Sequence, residues 1–434
     1  MKASFGFLFL FGLALANSHP SLGKDPTIQE FEEEFHKLYT PEEEAEAEKN
    51  LKAHEEAIDK ENELFAQGQA DFQEAVMEWD DLSPEEFLAE KTGALDVAYG
   101  FGLLEEPEEM RINKPEHDRW LERQRDECKG WKLPKFFDAR KNGVITSVKN
   151  QKSCGSCSAF ATMAMVETCL INTGAPKANM DLSEQQLVDC AYDNKRALGC
   201  EGAYISAYPD WLEKTNGFVN HENHYPYLNN KPNLKCQNVK PWKAGARVNE
   251  SITNYGGTDE DLKCLVYKYG AVVSVIYAGD QGFMDYRAGT VFNTCSKKSI
   301  NHAITVIGWG KTGNGQEYWL IKNSWGDYWG DNGYIKVKKG TCGVGTQTVV
   351  TTCYPAGHQN PPPEKKGGID ITPCNISAKY GPKVTGTYNI KYKLPNGKTR
   401  TTTVTCAHSS CTPENGNAKN ACFTICGRSK CGSN

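Results

Sequence analysis

Cys157 ends the run Gln151-Lys-Ser-Cys-Gly-Ser-Cys and opens an apolar stretch that continues from Ser158 to Gly174. Such a stretch predicts a buried helix with a glycine stop. A thiol in the first turn of that helix would feel the positive end of its dipole, which favours thiolate over thiol. A histidine brought alongside would complete the activation. By itself the Cys154-x-x-Cys157 spacing also fits a redox pair, a metal pair or halves of two structural disulfides. Two distant segments bear on the choice. Asn301-His302 leads into the strand-like run Ala303 to Gly310, and Tyr318 to Lys322 reads as a second strand that ends on Asn323-Ser-Trp325. His302 lies 145 residues after Cys157, and Asn323 lies 166 after it.

In this order the three motifs resemble the papain-like cysteine proteases, nearer the cathepsin L branch than cathepsin B. The resemblance covers about Leu133 to Pro355 and, more loosely, Glu30 to Phe87. It implies an α+β, two-lobed fold with a helical left lobe and a β-barrel-like right lobe. It also implies roles. Cys157 would be the nucleophile, His302 the acid and base held with it as a thiolate–imidazolium pair, and Asn323 the group that orients the imidazole under the cover of Trp325. Gln151 and the Cys157 backbone N–H would hold the oxyanion. Cys154 with Cys200, Cys190 with Cys236 and Cys295 with Cys342 match family disulfides, whereas Cys128, Cys169, Cys264 and Cys353 are given no partner. Gly202-Ala203 would pair with substrate backbone, and Ile205, Ile276, Ile300, Ala303 and, at its base, Gln347 would line an S2 pocket that takes an apolar P2 residue.

Three positions depart from the family pattern. Ser158 stands where a tryptophan is usual, and loss of that ring is expected to loosen the cleft wall. Lys152 replaces a loop glycine, which strains the loop if the site needs positive φ. Ala203 replaces a second glycine and brings a methyl group to the substrate's approach. A weakly catalytic relative that binds without turnover is therefore the competing reading.

The chain has 434 residues and 17 cysteines, enough for two or three domains. Met1-Lys2, an apolar run and Ala14-Leu-Ala16 predict a signal peptide over 1–16 and a secretory route, lysosomal or extracellular, in which disulfides persist. Sixteen thiols can then pair, and Cys157 is expected to be the free one. Residues 17–132 are expected to form an inhibitory propeptide and linker, with a helical pattern resembling the family's at Glu43, Ala47, Leu51, His54, Ile58 and Asn62. A second propeptide pattern falls on Ala75, Met77, Trp79 and Asp81. The catalytic domain is expected over 133–359, a Pro- and Gly-rich linker over 360–369, and a cysteine-rich β module over 370–434. In that module Tyr388, Ile390 and Tyr392 alternate ahead of Pro395-Asn-Gly397, a hairpin signal.

Charge divides the chain. Residues 25–132 hold 33 Asp/Glu against 12 Lys/Arg, while the rest is basic by 15. The expectation is that pairing with the basic part depresses the prosegment's carboxylate pKa values, so that acid loosens it. From Glu364 onward 11 Lys/Arg face 3 Asp/Glu, which suits either a surface for anionic glycans, lipids or substrates or a soluble basic spacer. Asn249-Glu-Ser and Asn375-Ile-Ser are glycosylation sequons. No cofactor, metal, nucleic acid or membrane span is expected. Protein or peptide substrates and the chain's own propeptide are the expected partners of a monomer.

Overall fold

The computed structural model describes residues 26–95, 126–354 with short breaks, and the strands between 386 and 431. The signal peptide, the linker 360–369 and Asn375 lie outside the described residues. Two compact units result, Met1–Gly357 and His358–Asn434. In the second, β10 (Gly386–Lys393), β11 (Thr399–Ala407) and β12 (Ser410–Pro413) form one antiparallel sheet, and β13 (Cys422–Ile425) pairs with β14 (Arg428–Cys431). The expected hairpin is β10–β11, while its turn residues and the side chains of the six cysteines lie outside the described residues.

The first unit opens with three capped helices. Thr27 caps α1 (Ile28–Phe35), Thr40 caps α2 (Pro41–Ala66) and Ser83 caps α3 (Pro84–Lys91), each in a reciprocal capping box with a glutamate three residues on. Such caps contribute about 1 kcal/mol apiece. The buried positions of α2 are Ala47, Leu51 and Ile58, and the first two pack on Ile28 and Phe31 of α1. Composition predicts helix throughout this segment, yet Phe72–Glu74 forms a short strand, β1, antiparallel to β5 (Tyr286–Gly289). Three residues carry too little pattern for periodicity to show, and the pairing partner lies more than two hundred residues away.

Beyond the short β2 (Phe137–Asp138), the helical lobe consists of α4 (Cys157–Asn172), α5 (Glu184–Cys190) and α6 (Ala207–Lys214). Helix α4 is buried on most of its faces and stops at Thr173, just before Gly174 at φ 102°. Lys149 fastens it to α5, with its ammonium 2.9 Å from Glu167 and 2.8 Å from Glu184. The other lobe is a seven-stranded sheet in the order β3 (Arg247–Tyr255), β9 (Gln347–Tyr354), β4 (Val272–Ile276), β6 (His302–Lys311), β7 (Glu317–Lys322), β8 (Tyr334–Lys338), with β2 added to β6. Asn249 is the extra residue of a bulge on the edge strand β3. Helices α7 (Asp259–Tyr269) and α8 (Gln281–Met284) complete this lobe.

Five disulfides staple the unit. Cys154–Cys200, Cys190–Cys236 and Cys295–Cys342 form as the resemblance implies. Two more were not assignable from the sequence: Cys169–Cys353 ties α4 to β9, and Cys128–Cys264 ties the linker to α7. Among the described cysteines Cys157 alone is free. No helix among the described residues is long and apolar enough to cross a membrane.

The largest apolar cluster joins the N-terminal segment to the sheet lobe. Phe72, Met77, Trp79 and Phe87 pack with Phe283, Tyr286, Trp325 and Trp329. Trp79 is 1% exposed. Replacing a buried tryptophan by alanine typically costs about 3–5 kcal/mol. Trp79→Ala is therefore expected to lower the urea midpoint of N-terminal segment release in a Cys157→Ala chain and to leave the sheet-lobe transition in place. An unchanged midpoint would contradict this packing.

Candidate active site

Cys157 is the first residue of α4, held there by a loop that its neighbours lock. Gly155 N–H donates to Cys200 C=O at 2.8 Å beside the Cys154–Cys200 bond, and Tyr227 O–H donates to Gln151 C=O at 2.8 Å. Lys152 takes φ 54°, the left-handed conformation the sequence raised, at a typical cost of about 1–2 kcal/mol. His302 opens β6. Ala303, next in the chain, donates its N–H to Cys157 Sγ at 3.3 Å, which sets the imidazole's strand against the sulfur. His302 Nε2 is 2.8 Å from Asn323 Oδ1, and its ring lies 4.8 Å from the Trp325 indole. With Asn323 Oδ1 accepting, the proton sits on Nε2, and Nδ1 keeps its lone pair. His302 Nδ1 has no hydrogen bond.

Gln151 completes the group. Ser324 Oγ donates to Gln151 Oε1 at 2.7 Å and so orients the amide. Its Nε2 donates to Cys154 C=O at 2.9 Å and to Lys91 C=O at 3.2 Å. Trp325 Nε1 donates to the same Lys91 carbonyl at 3.0 Å. The N-terminal segment therefore occupies one of the two donors the sequence assigns to an oxyanion, the Gln151 side-chain amide.

From Lys91 the segment crosses the cleft as an extended strap. Gly93 and Ala94 both donate to Asn301 C=O at 2.9 Å, Ala203 N–H donates to Gly93 C=O at 2.8 Å, and Leu95 N–H donates to Ala203 C=O at 3.1 Å. The Ala94–Ala203 bridge is parallel. A Cβ on Gly93 would lie 2.2 Å from Gly155 O, and one on Gly202 would lie 2.4 Å from Gly93 O, so both contacts need glycine. Ala94 enters one apolar cluster with Ile205, Ile300, Ala303, Cys157 and Val349.

Ile276 does not join that cluster. Strand alternation turns Val273 and Val275 toward it and sends Ile276 into the sheet-lobe core with Trp325 and Trp329. Gln347 is buried on β9, two residues before Val349 and therefore on the same face. Ser158 does not leave a loose wall: its Oγ donates to Ala203 C=O at 3.0 Å, so two of the departures meet and brace each other. Sequence reasoning missed three contributors. Asn301 and Ser324 sit inside the His302 and Trp325 motifs and were legible there, whereas Tyr227 carries no local signal.

Burial decides the protonation states. It pushes the Cys157 thiol up to about 11, against the donated N–H groups of Ala303, Ser158 and Ala94 that pull it down. Burial also pushes the His302 imidazole down to about 4, against the hydrogen bond to Asn323. With the strap in place, thiol and imidazole are both neutral at pH 7, not the ion pair the resemblance implies. The buried carboxylates also depart from expectation. Burial, and then repulsion from Asp285, raises Glu74 to about 8, burial raises Asp285 to about 7, and Asp80 is raised well above the usual range. A raised folded-state pKa means that stability from these groups grows as pH falls from about 8 toward 4, so acid tightens these contacts. Among the described buried carboxylates of the N-terminal segment, Glu78 alone follows the expected sign, drawn down against its burial by Lys91, a Tyr328 hydrogen bond and Lys152.

Fold and site together define a two-lobed thiol hydrolase closed by its own N-terminal segment. The description of the papain family cysteine proteases matches residues 133–352. The chain is 30% identical over 360 residues to digestive cysteine proteinase 1 of Homarus americanus, across 80% of this chain and 98% of that protein. It is 37% identical over 222 residues to human cathepsin L2, across 49% of this chain and 64% of that protein. The structure of digestive procathepsin L2 proteinase from Tenebrio molitor larval midgut aligns with TM-score 0.61 at 28% identity, across 75% of this chain and 98% of that one. This chain belongs to the papain family of cysteine proteases. It is a cysteine-type endopeptidase.

A thiol at about 11 is roughly one part in a thousand ionised at pH 8. Alkylation of Cys157 in the intact chain should therefore climb about tenfold per pH unit between 7 and 10. After removal of the N-terminal segment it should be fast and nearly flat from pH 6 upward. Equal rates at pH 7 and 10 in the intact chain would contradict the assignment.

Proposed function

We propose that the chain is made as a zymogen whose prosegment, within residues 17–132, blocks the cleft, and that the domain over 133–359 then hydrolyses peptide bonds through Cys157 and His302. The observation that carries this reading is the strap. The Lys91 carbonyl takes the side-chain donors of Gln151 and Trp325, while Gly93 to Leu95 take the backbone positions of Ala203 and Asn301. Removing the strap readmits water, which lowers the thiol pKa and raises the imidazole pKa, and the thiolate–imidazolium pair forms. Cys157 attacks the carbonyl carbon, Gln151 and the Cys157 N–H hold the oxyanion, and His302 delivers the proton to the leaving amine; a water that gives its proton to His302 then attacks the thioester, and the Cys157 thiolate leaves as the acid is released. Asn323 keeps the imidazole in that tautomer under Trp325.

Ala94 marks the S2 site in this reading, so an apolar P2 residue is preferred. Secretion to a lysosomal or extracellular compartment, sugar on Asn249 and Asn375, and retention on anionic glycans by the module over 370–434 belong to the same reading. Labelling by an epoxide thiol probe of protein freed of its N-terminal segment should vanish with Cys157→Ala. A fluorogenic series varied only at P2 should favour Leu, Val or Phe about tenfold or more over Asp. Labelling that survives the substitution would refute the role of Cys157, and a preference for acidic P2 would refute the S2 site.

Cys128 adds a constraint on maturation. Bonded to Cys264 on α7, it would keep the prosegment covalently attached if the chain were cut only after it. Cleavage within residues 96–127 frees the prosegment and leaves a short stub on the enzyme. Intact mass of the released enzyme should therefore show an N-terminus upstream of Cys128. A mature chain that starts at Leu133 without it would overturn this assignment.

A further inference from the structure

We propose that His54, Asp80 and Asp285 form a binding site for one divalent cation of the zinc class, which bridges the prosegment to the catalytic domain. His54 comes from α2, Asp80 from the turn before α3, and Asp285 from the residue that joins α8 to β5. His54 Nδ1 lies 3.4 Å from Asp80 Oδ1 and 3.1 Å from Asp285 Oδ2. One ligand atom from each of the three falls within 4.8 Å of the others. Both aspartate side chains are fully buried, the Oδ1 atom of each has no hydrogen bond of ordinary geometry, and the Trp79 and Gln281 side chains also bear on Asp285. Asp80 Oδ2 is already taken by Met77 N–H at 2.9 Å.

The ring nitrogen carries at most one proton, so it can serve only one of the two carboxylates. Among the described residues His54 is the one basic side chain ion-paired with either of them. A pair of buried carboxylates without a matching cation is costly, and a divalent ion cancels both charges at once. The spacing suits zinc. Bonds of about 2.0–2.1 Å at a tetrahedral centre place ligand atoms about 3.3 Å apart, close to the 3.4 Å and the hydrogen-bonded 3.1 Å separations from His54, with the Asp80–Asp285 pair within 4.8 Å. One imidazole with two carboxylates favours zinc over the oxygen-only shells of calcium or magnesium.

Such an ion would hold α2 and the Met77–Asp80 turn onto the α8–β5 corner. Its effect on processing rests on the zymogen reading, but its binding does not. The test therefore uses the full chain with Cys157→Ala, which removes both self-cleavage and the thiol as a rival ligand. After stripping with EDTA, calorimetric titration with zinc chloride at pH 7 should give one ion per chain. His54→Asn and Asp285→Asn, each shown by circular dichroism to be folded, should weaken binding at least about tenfold, and zinc should raise the melting temperature of the parent far more than theirs. Three outcomes would overturn the proposal. One is no heat or stabilisation up to millimolar zinc, and another is unchanged affinity in both variants. The third is stabilisation by acid alone with no response to zinc, which would mean a proton shared between the carboxylates. If zinc binds as expected but the unsubstituted chain never matures, the site stands and the zymogen reading falls.

Discussion

Trp325 is the contact on which the rest of the structure depends. Its indole lies 4.8 Å from the His302 ring, 5.4 Å from Trp79, 5.5 Å from both Phe87 and Phe283, and 5.3 Å from Trp329. Offset and edge-on ring pairs add about 0.5–1.5 kcal/mol each beyond the area they bury. One side chain thus covers the His302–Asn323 hydrogen bond and serves as the platform on which the prosegment rests. Its Nε1 also fixes the Lys91 carbonyl, so the strap begins its crossing from a position the indole sets. Docking and occlusion are one packing event.

That coupling accounts for a neutral thiol and a neutral imidazole in the closed cleft. Once Trp79 and Phe87 close over the indole, water is excluded from His302 and Cys157, and the cost of separating charge in a dry cleft leaves both neutral. The strap also presents little to attack. Its hydrogen bonds run backbone to backbone through Gly93, Ala94, Ala203 and Asn301, and the Ala94 N–H that donates to Asn301 C=O also faces the sulfur. Such bonds tolerate sequence change except at the glycines, where an added Cβ would meet a carbonyl oxygen. The dipole of α4 acts on Cys157 in either state, and burial outweighs it while the strap is in place.

The motifs around Cys157, His302 and Asn323 were legible because each couples a chemical residue to a strong local signal, a buried helix start or a strand edge. The same holds for the three capped prosegment helices, whose Thr and Ser caps precede a glutamate by three residues. What escaped depends on distant pairing. β1 exists only because β5 is there to pair with it, and Cys128–Cys264 and Cys169–Cys353 join residues 136 and 184 positions apart. Ile276 shows the remaining limit. Proximity in sequence to an S2 position says nothing about which face of β4 a side chain takes, and one residue decides it. Ser158 shows it again, because its partner Ala203 lies 45 residues on.

Net charge was the least informative signal, and the structure gives the reason. Many of the prosegment's acidic groups never meet the catalytic domain: Glu30, Glu43 and Glu86 are held low by their own capping hydroxyls and backbone N–H groups, on exposed helix starts. Those bonds persist whether or not the prosegment is docked, so they cannot couple docking to pH. The coupling lies in a few buried groups at the interface, where burial dominates and the sign reverses. Glu74 and Asp80 of the prosegment face Asp285 of the catalytic domain, so two like charges approach from opposite sides of the contact being formed. Whatever neutralises them, protons or a bound cation, strengthens the latch, while Glu78 between Lys91 and Lys152 pulls the other way. The pH response of docking is therefore a contest between one lowered carboxylate and three raised ones, which a bulk charge of either sign cannot express.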